Sequence, residues 1–209
     1  MRLLPTPLAT TLAIFATAMS VTGPVTSASA QAVDPATRPV QALCDGLISI
    51  MKSGKAAGYN GRAATIGPIV DRSFDLPLMT RLAVGTAWNG LSPSDQTALV
   101  AAFRRMTIGQ YAKSFDGWSG QAFQVDPKVD VRGTDRLVRT MLTSKSGAPI
   151  ALSYRLRANG GDFRIIDIFY RNSISQLATR RADFERVLAT GGAKALIEHL
   201  NELATKASY

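Results

Sequence analysis

Residues 150–170 read IALSYRLRANGGDFRIIDIFY and contain two predicted β-strands. In the first half, apolar side chains alternate with small or basic ones, which is the period of a strand that buries one face. The alternating apolar residues are Ile150, Leu152, Tyr154 and Leu156. The residues NGGD at 159–162 are typical of a tight turn, and the stretch 163–170 that follows is apolar on both faces. The segment therefore predicts an antiparallel hairpin whose second strand is covered on both sides.

The rest of the chain supplies two further strands and several helices. Residues 123–131 and 137–144 precede the hairpin and are predicted strands. Apolar residues at helical spacing come before these strands and after the hairpin. Asp75 and Ser92 are predicted helix caps, and Gly191-Gly192 is a predicted helix break. This order predicts one α+β domain in which an antiparallel meander of about four strands packs with about six helices.

Residues 1–30 have the features of a secretory signal peptide. Arg2 is followed by an apolar run, and small residues at 27–30 offer a cleavage site. The run is short for a bilayer-spanning helix, and a retained membrane anchor is the alternative interpretation. We therefore expect a periplasmic protein cleaved near Ala30-Gln31, with a linker over 31–36 and a single domain over 37–209.

The chain is strongly basic, which raises the question of an acidic partner. Its 24 Lys and Arg outnumber 15 Asp and Glu, giving a formal net charge of +9. These residues are scattered and no aromatic side chains are interleaved as stacking platforms, so nucleic acid is not a predicted partner. For an exported protein, anionic lipid head groups or an acidic protein fit the charge better. Ordinary solvated faces are the alternative.

Few residues could carry catalysis. A single Cys and a single His exclude an internal disulfide, a cysteine-based zinc site and most histidine chemistry. No catalytic motif, metal or cofactor is predicted. Cys44 lies on an apolar helical stripe and is predicted to be a core residue. Asp167 lies within an apolar strand, where it could be a general base or a structural carboxylate that pairs with an arginine or caps a helix.

The order of motifs resembles the MlaC family of periplasmic lipid-binding proteins, once called toluene-tolerance proteins. In the helical half the resemblance is carried by Phe74, Asp75, Leu76, Met79, Arg81, Leu82, Gly85, Trp88, Ser92, Pro93, Gln96, Phe103 and Tyr111. In the second half it is carried by residues 163–168, Ile174, Ser175, Phe184, Gly191, Gly192, Leu196, Ile197 and Leu200. Residues 174–184 are most similar to the hopanoid-associated HpnM branch. Arg171-Asn172 departs from the acidic residue and Gly that the family usually has.

The resemblance implies a soluble periplasmic carrier, not an enzyme, with a cone-like fold and an apolar cavity that holds acyl chains. Its ligand would be a phospholipid or a hopanoid. Its partners would be an inner-membrane transporter of the ABC/MCE or RND type and an outer-membrane complex, with transient contact to the membrane surface, and the carrier would be a monomer. The predicted lipid-binding residues are Leu47, Met79, Leu82, Phe103, Tyr111, Phe115, Ile150, Leu152, Tyr154, Leu156, Phe169 and Ile174.

Two other functions stay open at the level of sequence. The first is an enzyme acting on a hydrophobic substrate, with Asp167 as general base and Tyr154 or Tyr170 beside it. The second is an interaction adaptor, which predicts a filled core because the same apolar positions could form one. Arg155, Arg157 and Arg171 could bind a lipid phosphate, and solvated surface is the alternative interpretation of each.

Overall fold

The computed structural model describes residues 33–208, so the predicted signal peptide and cleavage site lie outside the described residues. The α-helices are α1 Thr37–Ser53, α2 Gly58–Ser73, α3 Leu76–Val84, α4 Pro93–Ser114 and α5 Gln176–Lys206. Short 3₁₀ helices cover Lys55–Ala57 and Gly85–Gly90. The strands are β1 Ala122–Arg132, β2 Asp135–Thr143, β3 Ile150–Asn159, β4 Asp162–Tyr170 and β5 Ile174–Ser175. The predicted α+β class is confirmed.

The strands form one antiparallel sheet in the order β1-β2-β3-β4-β5, which confirms the predicted meander. The register places Tyr154 of β3 between Val138 of β2 and Ile168 of β4. The fifth strand, absent from the prediction, is two residues long and pairs with the end of β4. A strand this short has no alternation of apolar residues that a sequence pattern could reveal.

Helices α3 and α4 begin where a side chain accepts a hydrogen bond from one of their free N–H groups. The Asp75 carboxylate accepts a hydrogen bond from the Leu78 N–H at 3.0 Å, and the Ser92 hydroxyl accepts one from the Asp95 N–H at 3.1 Å. A Pro stands in the first turn of both helices, where its missing N–H costs nothing. Both predicted caps are confirmed.

The C-terminal helix is divided at Gly192, where two helices are predicted. Gly192 has φ +62° and ψ −160°, a combination that only glycine adopts readily. Across the break, the His199 Nε2 atom lies 3.1 Å from an Asp183 carboxylate oxygen. Phe184 before the break and Leu196 after it are both buried in the core. The five α-helices of the described chain thus provide six helical segments.

The core lies between one face of the sheet and the helices. Fully buried residues of the sheet are Val138, Tyr154, Leu156, Ile165 and Ile166, and those of the helices include Leu43, Ile50, Leu99, Phe103, Met106 and Leu200. Cys44 is 1% exposed within this core, and burial raises the pKa of its thiol to about 12. Its predicted role as a core residue is confirmed.

Candidate functional site

A cavity of about 210 Å³ lies between α3, α4, the start of α5 and strand β4. Its lining combines aromatic and aliphatic side chains with a smaller polar group. The residues are Phe74, Met79, Phe103, Thr107, Gln110, Tyr111, Ser114, Phe115, Ile168, Gln176, Leu177 and Arg180. An apolar cleft with a few polar groups is the usual form of a small-molecule site. This cavity is therefore the candidate functional site.

Aromatic rings line the cavity in two groups, one around Tyr111 and one at Phe103. The Tyr111 ring lies 6.2 Å from the Phe74 ring and 5.9 Å from the Phe115 ring, measured between centroids. Phe103 packs edge-to-face on Phe184 at 6.2 Å. Burial raises the pKa of the Tyr111 hydroxyl, so this phenol is neutral at physiological pH. This aromatic lining is therefore uncharged and apolar, with one hydroxyl group.

The structure brings four of the twelve predicted lipid-binding residues to this cavity, namely Met79, Phe103, Tyr111 and Phe115. The others are distributed over the fold. Leu47, Tyr154 and Leu156 are buried in the core, and Ile150 and Leu152 are half-buried on β3. Leu82 is 36% exposed and Ile174 is 52% exposed. Phe169 lines a different cavity, on the sheet face that carries Arg155.

Arg180 is the one charged side chain of the cavity lining. Its Nη2 atom donates to the Gln110 Oε1 atom at 2.7 Å, its Nη1 atom lies 3.3 Å from the Met106 sulfur, and its guanidinium lies 5.7 Å from the centroid of the Phe103 ring. Burial lowers the pKa of Arg180, although an arginine stays charged in proteins. The sequence does not single out Arg180, because an arginine next to a second arginine is typical of a solvated helix face. Its spacing from Leu177 and Phe184 is that of the inner helix face, which was the available signal.

Asp167 holds the start of α5. It is 5% exposed, and its carboxylate accepts hydrogen bonds from the Ile168 N–H at 2.7 Å, the Leu177 N–H at 3.0 Å and the Ser175 hydroxyl at 2.6 Å. The Asp167 carboxylate thus accepts three hydrogen bonds, and Asp167 does not line the cavity described above. These contacts are those of a structural carboxylate that caps a helix.

Arg155, Arg157 and Arg171, which could bind a lipid phosphate, are already in contact with other side chains of the protein. On the sheet face opposite the core, the buried Asp135 carboxylate accepts from Arg155 Nε at 2.6 Å and Arg157 Nε at 2.7 Å. The hydrogen bond from Arg157, followed by that from Arg155, lowers the pKa of Asp135. Arg171 stacks on Tyr170 at 5.5 Å in a turn with φ +51°. Arg155 and Arg157 are thus structural partners of Asp135.

Within residues 33–208, no three His, Cys, Asp or Glu side chains are grouped to hold a metal ion. No helix in the same range combines the length and the apolar character that crossing a membrane requires.

The fold and the cavity define a class, an α+β protein whose helices enclose an apolar, aromatic space against an antiparallel meander. A family profile described as MlaC protein matches residues 41–202. The chain belongs to the MlaC family, as its motifs predicted. Membership of the HpnM branch stays a prediction.

A solved structure with a similar fold is the phospholipid-binding protein from Ralstonia solanacearum, determined in complex with a phospholipid. The two chains are 22% identical and superpose with a TM-score of 0.72, over 83% of this chain and 99% of the other. At this identity the likeness establishes a shared fold. A comparison with curated proteins gives no match.

Proposed function

We propose that this chain is a soluble periplasmic carrier that holds the apolar part of a lipid, either the acyl chains of a phospholipid or the ring system of a hopanoid, and moves the lipid between inner- and outer-membrane complexes. The observation that carries the proposal is the aromatic cavity between α3, α4, α5 and β4. Membership of the MlaC family and the phospholipid bound by the Ralstonia solanacearum protein of similar fold support it. An inner-membrane transporter of the ABC/MCE or RND type and an outer-membrane complex are the proposed partners.

A lipid carrier needs an apolar enclosure because exposed acyl chains are costly. Burying one methylene group stabilises by about 0.8 kcal/mol. Two acyl chains with roughly thirty methylenes in total therefore gain on the order of 20 kcal/mol from burial. A lipid leaves a bilayer at a useful rate only if the receiving site excludes water from the acyl chains as well as the bilayer interior does. The wall formed by Phe74, Phe103, Tyr111 and Phe115 offers such surface, and no covalent step is required.

The size of the cavity implies that it widens on uptake. Pockets that hold drug-sized ligands span about 300–1,000 Å³, and this cavity measures about 210 Å³. The lining comes from separate elements, so the helices can move apart from β4 while each stays folded. We therefore expect lipid binding to involve an outward displacement of the lining helices.

Blocking the cavity tests the proposal. Ser114 is an exposed residue at the end of α4 that lines the cavity, so Ser114→Trp places an indole in the space for an acyl chain. We expect this variant to fold and to lose at least about tenfold in uptake of labelled phospholipid from vesicles, which equals about 1.4 kcal/mol. Uptake is measured by separating the protein from the vesicles and counting the label.

The matched control is Asp116→Trp, which adds the same side chain two positions further on at an exposed residue outside the cavity lining. It should take up lipid as the unmodified protein does. Equal uptake by Ser114→Trp and the unmodified protein would show that acyl chains do not occupy this cavity.

The enzyme alternative has less support. A general base needs a free carboxylate facing its substrate, whereas the three hydrogen bonds to Asp167 hold it at the start of α5.

A further inference from the structure

The guanidinium of Arg180 faces an apolar cavity with most of its hydrogen-bonding capacity unused. An arginine has five N–H donors, and Arg180 directs one to the Gln110 Oε1 atom at 2.7 Å and one to the weakly accepting sulfur of Met106. Among the described residues, no carboxylate oxygen lies within the 4.0 Å of an ion pair with it. The nearest wall of the cavity is the ring of Phe103.

The acidic residue one turn away, Asp183, is already engaged. Its carboxylate pairs with Arg186 and, through the other oxygen, with the His199 Nε2 atom at 3.1 Å. It therefore does not neutralise Arg180 by direct contact. The polar groups that accompany Arg180 in the cavity lining are the uncharged Thr107, Gln110, Ser114, Gln176 and the Tyr111 hydroxyl.

Other arginines of the protein show what a satisfied guanidinium looks like. Arg104 makes a two-point contact with Asp71 at 2.6 and 2.7 Å. Arg62, which is buried, donates to the backbone oxygens of Ala112 and Gly54 at 2.7 and 2.8 Å. Withdrawing a charge from water is unfavourable unless an opposite charge or full hydrogen bonding compensates it. Arg180 is half-buried and has one uncharged oxygen acceptor and one sulfur acceptor, so it can still receive a charged partner from a ligand.

We propose that Arg180 binds the anionic group of the lipid inside the cavity, through two-point hydrogen bonding to a phosphodiester or a carboxylate. Planar guanidinium groups match both anions in this way. Gln110 holds the guanidinium in place from α4, and the Phe103 ring supports one face. The site therefore selects anionic lipids over lipids that have no anionic group. This inference rests on the proposed carrier function and narrows its ligand class.

The experiment compares three lipids with the same acyl chains: a phospholipid, a free fatty acid and diacylglycerol, which lacks the anion. Binding to the full mature protein is measured for each by competition with a fluorescent fatty acid or phospholipid. The unmodified protein should prefer at least one of the two anionic lipids to diacylglycerol by about tenfold or more, as expected for hydrogen bonds to a charged group. Whether the phospholipid or the fatty acid binds more tightly identifies the source of the anion.

The variant pair is Arg180→Met and Arg181→Met. Arg181 is half exposed, lies outside the cavity lining and pairs with Glu185, so its replacement removes the same net charge without touching the site. Arg180→Met should reduce the preference for anionic lipid about tenfold, whereas Arg181→Met should leave it unchanged. The comparison separates binding in the cavity from attraction of a basic protein to charged lipid.

The results distinguish the role of Arg180 from the carrier function. Equal binding of diacylglycerol and anionic lipids by the unmodified protein would overturn the role of Arg180 and leave the carrier function intact, and it can be read even if Arg180→Met fails to fold. An unchanged preference in a folded Arg180→Met would also overturn it. Failure to bind any of the three lipids would instead contradict the carrier function for lipids with acyl chains.

Discussion

At the scale of single residues, the charged side chains Asp135, Asp167 and Arg180 differ in the partners that the described residues give them. Asp135 is buried and held by Arg155 and Arg157, while Asp167 is held by donors at the start of α5. Arg180 is half-buried beside the ring of Phe103, and no carboxylate of the described residues is in contact with it. We assign the paired groups to stability and the unpaired one to ligand binding, because a fold retains an uncompensated charge only where something else offsets its cost.

The Asp135 cluster should make folding sensitive to acid. Its arginine partners lower the pKa of Asp135 in the folded protein below the value near 3.9 of an unfolded chain. The stabilisation is therefore complete above pH about 4 and is lost as the pH falls through the folded pKa. Near neutral pH, Asp135→Asn should lower the free energy of unfolding by about 1–3 kcal/mol. The difference should shrink below pH about 3.

Urea unfolding of both proteins across this pH range checks the prediction. A difference between the two proteins that stays constant down to the lowest pH would mean that the ionised Asp135 carboxylate is not what stabilises the fold.

At the scale of elements, the residues of turns and helix caps allowed the ends of strands and helices to be predicted from the sequence. The NGGD turn lies between β3 and β4, and Asp75 and Ser92 cap α3 and α4, as predicted. The inner helix faces were harder to assign. Leu82 was predicted to face a cavity and is 36% exposed, because the nine residues of α3 include apolar side chains on more than one face. Arg180 was missed for the opposite reason, because a charge on an inner face contradicts the usual amphipathic pattern.

The break in helix α5 depends on the backbone conformation of a single residue, Gly192. Its φ of +62° and ψ of −160° are strained for any residue with a Cβ atom, and a Cβ built there meets nothing within 4 Å. Gly192→Ala should therefore destabilise the fold by about 1–3 kcal/mol through the backbone alone.

Gly117→Ala is the control for this substitution. Its added Cβ also meets nothing within 4 Å, and its backbone does not have a positive φ in the strained range. A surface change of this kind stays within about 0.5 kcal/mol. If thermal unfolding shows equal losses for both variants, the break in α5 does not rest on the conformation of Gly192.

At the scale of the whole molecule, the sequence could predict the layers and not the space between them. Leu47, Tyr154 and Leu156 are in the filled core, whereas Met79 and Phe115 line the cavity. These residues carry the same signal in a sequence, because burial in a core and burial against a cavity both remove apolar surface from water. The family resemblance supplied the expectation of a cavity, and its position between α4, α5 and β4 required the structure.

The most direct test of the carrier function is native mass spectrometry of the protein isolated from the periplasm, with identification of any lipid extracted from it. We predict a mass that exceeds that of the polypeptide by one lipid, and an extract that contains an anionic phospholipid or fatty acid in equal molar amount. A bare polypeptide that also takes up no lipid from vesicles would contradict the account.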